Sequence, residues 1–206
     1  MVRAFGWIVG IRTSSPERGW HAAQSAKHRP LSPNAPDPSN VPPPNKYLPF
    51  YLDTSGEAGV DVFASHNWRF DAQWLGDRLG ERPVICTYKC ALRVWPEAPA
   101  HNNQALRYWL HPEGVDSTVA NMAHRAMPDA YVTAFILREL LKVVRVEDLI
   151  AWTKEPVLLP RITFGRYRGR SWADVPKDYL VWIIERSDLD EDVKCTAAHH
   201  RCIRSG

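Results

Sequence analysis

From Tyr47 onward, short apolar runs alternate with stretches of helical spacing, whereas residues 13 to 45 show no apolar period. "KYLPFYLDTSG" predicts a short helix interrupted at Pro49. "GVDVFASHN" predicts a buried strand that ends on polar residues, and "FDAQWLGDRLG" a helix with Phe70, Trp74 and Leu75 apolar and Gly80 as its stop. In "RPVICTYKCALRVWP" a strand over Val84 to Cys86 runs into a helix that Pro96 ends. "NNQALRYWL" is a further helix, followed by a loop from His111 to Asn121. Strands alternating with helices predict an α/β sandwich with a largely parallel sheet.

The strongest single pattern is "NMAHRAMPDAYVTAFILRELL". Asp129, Thr133, Ile136 and Leu140 share one helical stripe, and Ala130, Ala134, Leu137 and Leu141 a second, so this helix is buried over most of its circumference. Pro128 suits its first position, where the missing N–H has no partner to lose. Asp129 then stands in the first turn, with His124 in the loop before it. Such a carboxylate either caps the helix and favours its dipole, or is paired or bound to a metal ion.

After "VEDLIAWTKEPVLLP" the composition changes. "RITFGRYRGRSW" alternates and carries two Gly, as a β-hairpin does, and "VPKDYLVWIIERS" is a helix with Pro176 at its start and Tyr179, Leu180, Trp182, Ile183 and Ile184 apolar. The expected organisation is therefore a disordered or divergent segment over 1–44, an α/β unit over 45–150 and a small α+β unit over 155–206.

Composition narrows this little. The 206 residues carry a formal charge of +3, which permits nucleic-acid binding without requiring it. The apolar run of the opening "MVRAFGWIVGIR" is too short to cross a bilayer and no small-residue cleavage pattern follows it, so a cytoplasmic protein away from the membrane is expected. Cys86, Cys90, Cys195 and Cys202 lack disulfide-framework spacing and point to a reducing compartment. A zinc site from Cys195, His199, His200 and Cys202 fits no common finger spacing, and two core thiols beside an ordinary polar tail is the simpler reading.

Chemistry gathers at "SHNWRFD", where a strand end puts Asp71 at the head of a helix. Open α/β sheets hold their ligands at the carboxyl ends of strands. Asp71, Asp129 and His124 converging there would supply two oxygen ligands for Mg²⁺ or Mn²⁺ and a group to take a proton from water. "HNWRFD" resembles the second motif, His-Asn-x-x-Phe-Asp, of the DEDDh 3′→5′ exonucleases, the group of ribonuclease T and the proofreading epsilon subunit. "HRAMPDA" resembles their third motif, His-x-x-x-x-Asp-Ala. "VICTYKCALRVWP" and the ending "TFGRYRGRSWADVPKDYLVWI" are similar to the exodeoxyribonuclease X branch, and the resemblance covers about residues 45 to 200. It implies a ribonuclease-H-like fold and two-metal hydrolysis of DNA from single-stranded or 3′ ends. It also implies Asp71 and Asp129 as metal ligands, His124 as general base, and His66, Asn67 and Phe70 beside the nucleic acid.

The family's first motif, Asp-x-Glu, occurs nowhere in this chain. Asp53 and Glu57 of "LDTSGE" stand too close to Asp71 to replace it and read as surface-turn residues. The chain thus resembles an exonuclease whose first third is lost or replaced, and impaired catalysis is expected. The competing reading is a non-catalytic nucleic-acid-binding remnant. Its working part would be Arg166, Arg168 and Arg170, interleaved with Phe164, Tyr167 and Trp172 as cations and stacking rings for single-stranded DNA.

Overall fold

A computed structural model describes residues 9–11, 61–122 and 126–204. Three strands form one sheet in the order β1 (Val9–Ile11), β2 (Val62–Ser65), β3 (Val84–Cys86). β2 and β3 are parallel, with Ala64 opposite Ile85, while β1 runs antiparallel, with Val9 opposite Ala64. The expected largely parallel sheet is thus mixed. β1 comes from the segment expected to stand apart, because Val9 is an apolar residue that pairs at the edge of β2 and is buried there. The remainder of 1–44, the helix expected at "KYLPFYLDTSG", Asp53, Glu57 and His124 lie outside the described residues.

Every residue of β2 is buried, as a central strand requires. Asn67 then takes the left-handed conformation, φ 68°, which Asn tolerates better than other side chains, and turns the chain into α1 (Trp68–Leu79). Gly80, at φ 61°, ends that helix. β3 passes directly into α2 (Thr87–Val94), and α3 (Asn103–Leu110) begins at Asn102, whose side chain accepts from the Ala105 N–H. The loop expected from His111 to Asn121 contains a short helix, α4 (Ser117–Ala120). Asp116 caps it by accepting from the Thr118 N–H, a local signal that outweighs the lack of apolar periodicity.

The long apolar helix is α5 (Ala126–Leu141), with Pro128 in its first turn rather than at its first residue. Val132 to Leu137 and Leu140 are all buried. Of these, Val132, Ala134, Ile136, Leu137 and Leu140 join residues of β2, α2, α3, α4 and α6 (Val146–Lys154) in the first core, which also takes in Val62, Ile85, Leu106 and Leu149. Two of the residues expected to face inward from α1, Phe70 and Trp74, are each 56% exposed, because the helix turns only Leu75, Leu79 and Trp68 toward Phe63.

A second core follows residue 160. Ile162, Trp172 and Val175 pack with Leu180 and Ile183 of α7 (Lys177–Arg186) and Val193 and Ala197 of α8 (Glu191–Ile203). Pro176 stands just before α7, as expected. The expected hairpin is reduced to one bridge, Arg161 to Ser171, with two 3₁₀ turns, Gly165–Tyr167 and Trp172–Asp174. Gly165 and Gly169 both take positive φ, so the chain folds back too tightly for strands to extend. This unit is therefore essentially helical rather than α+β.

α8 holds the second unit to the first. Asp192 accepts from Lys89 Nζ at 3.0 Å and from the Val157 N–H at 2.9 Å, and Asp190 pairs with Arg69 of α1. Asp190 also caps α8 through the N–H groups of Asp192 and Val193.

Candidate active site at the end of the central strand

The carboxyl end of β2 delivers Ser65, His66 and Asn67 in succession. Ser65 is completely buried and donates its hydroxyl to Asp71 Oδ2, across the turn that Asn67 makes. Asp71 is itself buried, 4% exposed, although it lies on a helix whose neighbouring residues face solvent. Burial pushes its carboxyl above the ordinary 3.8, and the Ser65 hydroxyl opposes that rise. A buried carboxylate with one oxygen held by a hydroxyl and, among the described residues, no ion-pair partner is in a costly state, which a divalent ion would relieve.

His66 is engaged by the protein through both nitrogens. Nε2–H donates to the His101 carbonyl at 2.8 Å, and Nδ1 accepts from the Thr87 hydroxyl at 2.9 Å. Burial drives the imidazole down to about 4, so the ring is neutral at physiological pH. Neither nitrogen is left for a nucleotide, and what His66 offers outward is limited to ring surface, with Tyr88 set edge-on at 5.7 Å. His101 continues the chain of bonds by donating Nε2–H to the Trp95 carbonyl at 2.8 Å. Asn67 and Phe70 are both exposed beside this group.

Asp129 lies half-buried in the first turn of α5. Asn103 of α3 spans that turn, donating Nδ2–H to the Asp129 carbonyl at 3.5 Å and to Thr133 Oγ1 at 3.2 Å. The arrangement fixes the backbone under Asp129, and the acidic side chain also favours the helix dipole there. Among the described residues no group of three His, Cys, Asp or Glu side chains is placed to hold a metal ion, either here or at Cys195, His199, His200 and Cys202 of α8. Two carboxylates fall short of the donor set that a pair of ions needs.

Sequence reasoning passed over Ser65, Thr87, His101 and Asn103. Ser65 alone had a legible signal, a buried polar residue closing an apolar strand six positions before an acid. The others are paired by tertiary folding. Arg166, Arg168 and Arg170 are exposed in the second unit, and among the described residues no carboxylate pairs with them.

Comparison with known proteins gives the relationship. Over 148 residues the chain is 32% identical to exodeoxyribonuclease 10 of Escherichia coli strain K12, covering 69% of this chain and 66% of that protein. The same protein of Escherichia coli O6:H1 strain CFT073 matches equally, at 32% identity and the same coverage. This chain is related to these exonucleases. It spans 66% of the length of these relatives, so their full activity does not transfer with the name. A solved structure of exonuclease X in complex with 5′ overhanging duplex DNA is similar at 28% identity and a TM-score of 0.35, over 46% of this chain and 56% of that one. No family model matches the chain.

Proposed function

We propose that this chain acts on DNA as a 3′→5′ exonuclease of greatly weakened catalytic power. The observation that supports this best is Asp71, buried at the end of β2 and tied to Ser65, in a chain related to exodeoxyribonuclease 10. Asp71 and Asp129 are the carboxylates offered to a divalent cation, Mg²⁺ or Mn²⁺, and His124 is the base. Bound ions would supply the activated water and the charge on the leaving oxygen. Without an Asp-x-Glu pair the acidic set holds such ions poorly, since Mg²⁺ demands near-octahedral oxygen coordination. Asn67 and Phe70, exposed at the same strand end, are the groups that meet the terminal nucleotides, and His66 positions the turn that presents them.

The test uses a single-stranded oligonucleotide labelled at either end, incubated with the full chain in excess, with Mg²⁺, Mn²⁺ or EDTA. Salt-sensitive binding with slow, metal-dependent shortening from the 3′ end is the expected outcome. No binding even at low salt contradicts the DNA reading, and rapid digestion contradicts the weakened site.

A further inference from the structure

The aromatic residues of the second unit divide into two groups. Trp172 is fully buried, and Phe164 is half-buried against the same core. Tyr167 and Tyr179, also half-buried against it, lead outward in a row to the exposed Trp182. Tyr167 meets Tyr179 edge-on at 4.9 Å, and Tyr179 stacks on Trp182 at 5.3 Å with the ring planes 25° apart. Trp182 is 42% exposed although its apolar spacing on α7 predicts a core position, because Leu180 and Ile183 occupy the inward face. The Arg166 guanidinium lies over both tyrosine rings, 4.7 Å from the Tyr167 centroid and 5.5 Å from that of Tyr179.

The row meets the neighbouring turn. At Gly165, φ is +61°, and a Cβ there would stand 2.5 Å from the Tyr179 hydroxyl oxygen, so the 3₁₀ turn lies against the hydroxyl end of that side chain. Tyr179, Trp182 and Arg186 follow at i, i+3 and i+7 on one helical stripe, which extends the row by about 10 Å toward an exposed cation. Between residues 161 and 186 six basic side chains face three acidic ones, and one of those three, Glu185, is already paired with Arg201.

We propose that Arg166, Tyr167, Tyr179 and Trp182 form a stacking surface for single-stranded DNA. An exposed indole face at the end of a ring row, beside arginines that pair with no carboxylate among the described residues, matches an unstacked base on a phosphate chain. A duplex hides its base faces and offers only phosphates. An acidic polypeptide would answer the charge but has no use for ordered rings. The choice of DNA over RNA rests on the nuclease reading above, while the stacking geometry is independent of it.

The experiment is fluorescence anisotropy with the full chain in EDTA, where no hydrolysis occurs, using a labelled thymidine oligonucleotide. Trp182→Ala should weaken binding roughly five- to a hundredfold, and Arg166→Ala should weaken it and reduce its salt dependence. Trp182→Phe, which keeps a ring and the fold, should retain most of the affinity, and Trp109→Ala on α3 should retain all of it. Equal binding by Trp182→Ala and the parent overturns the proposal. So does equal affinity for a duplex of the same length, or displacement by polyglutamate at equal charge. Tighter binding of a uridine oligonucleotide overturns the choice of DNA. Because the measurement excludes metal, failure of the nuclease reading leaves these outcomes unchanged.

Discussion

Ser65 donates its hydroxyl to Asp71 across the left-handed turn at Asn67, joining the last residue of the central strand to the first turn of α1. The bond settles where the acidic side chain lies: folded back beneath the strand end, away from solvent. Deleting it by Ser65→Ala leaves a buried carboxylate without that donor. The expected cost is about 1–3 kcal/mol in urea-induced unfolding, and an unchanged midpoint contradicts the assigned geometry.

Asp71 also gives a pH-dependent prediction. Its folded-state pKa is raised by burial above the ordinary 3.8. The folded form therefore holds the proton more tightly than the unfolded form. Stability falls as pH rises from 3.8 through the raised folded value, and the penalty is fully present above it. Asp71→Asn removes the penalty and keeps the Ser65 bond. It should raise the melting temperature at neutral pH by about 2–4 °C per kcal/mol recovered and flatten the acidic part of the profile. A lower melting temperature at neutral pH would show that the carboxylate is stabilised there by something else.

His66 has the opposite sign. Its folded pKa of about 4 lies below the ordinary 6.5, because the neutral ring is buried between Thr87 and His101. Its contribution to stability is complete above pH 6.5 and is lost as pH falls toward 4. Its imidazole NMR signals should stay essentially unshifted between pH 7 and 5. A midpoint near 6.5 contradicts the sequestered ring.

Much of this was legible in the chain because its signals are local. Val84 to Cys86 running into a helix, Gly80 as a stop and the wide apolar arc of α5 are periodicity and capping effects that act within a few residues. What was not legible depends on tertiary partners. β1 is a short apolar run that becomes a strand only against the edge of β2. The alternation of "RITFGRYRGRSW" suggests a hairpin, yet two glycines at positive φ replace it with turns. Trp182 reads as core from spacing alone, and its exposure follows from which face α7 turns toward Trp172. At the site, Asp71 was named from the sequence, but its hold by Ser65, and the engagement of both His66 nitrogens by Thr87 and His101, came only with the fold.

The second core has one dominant side chain. Trp172 is 1% exposed and packs parallel to His200 at 6.3 Å, at 12° between planes. Trp172→Ala should cost about 3–5 kcal/mol and unfold residues 160–204 at lower denaturant than the parent. Hydrogen exchange should localise the loss to α7 and α8. Equal loss of protection in α5 would mean that the two cores unfold as one.

The central claim is that an exonuclease framework survives here with an incomplete acidic site. It is tested most directly by the rate of nucleotide release from a 3′-labelled single strand in Mg²⁺, measured for the full chain and for Asp129→Ala. The account predicts slow or undetectable release and little difference between the two, because the acidic set proposed to include Asp129 has no Asp-x-Glu pair in this chain. Brisk release that disappears in Asp129→Ala would contradict it and would require the missing ligands to come from Asp53, Glu57 or a second chain.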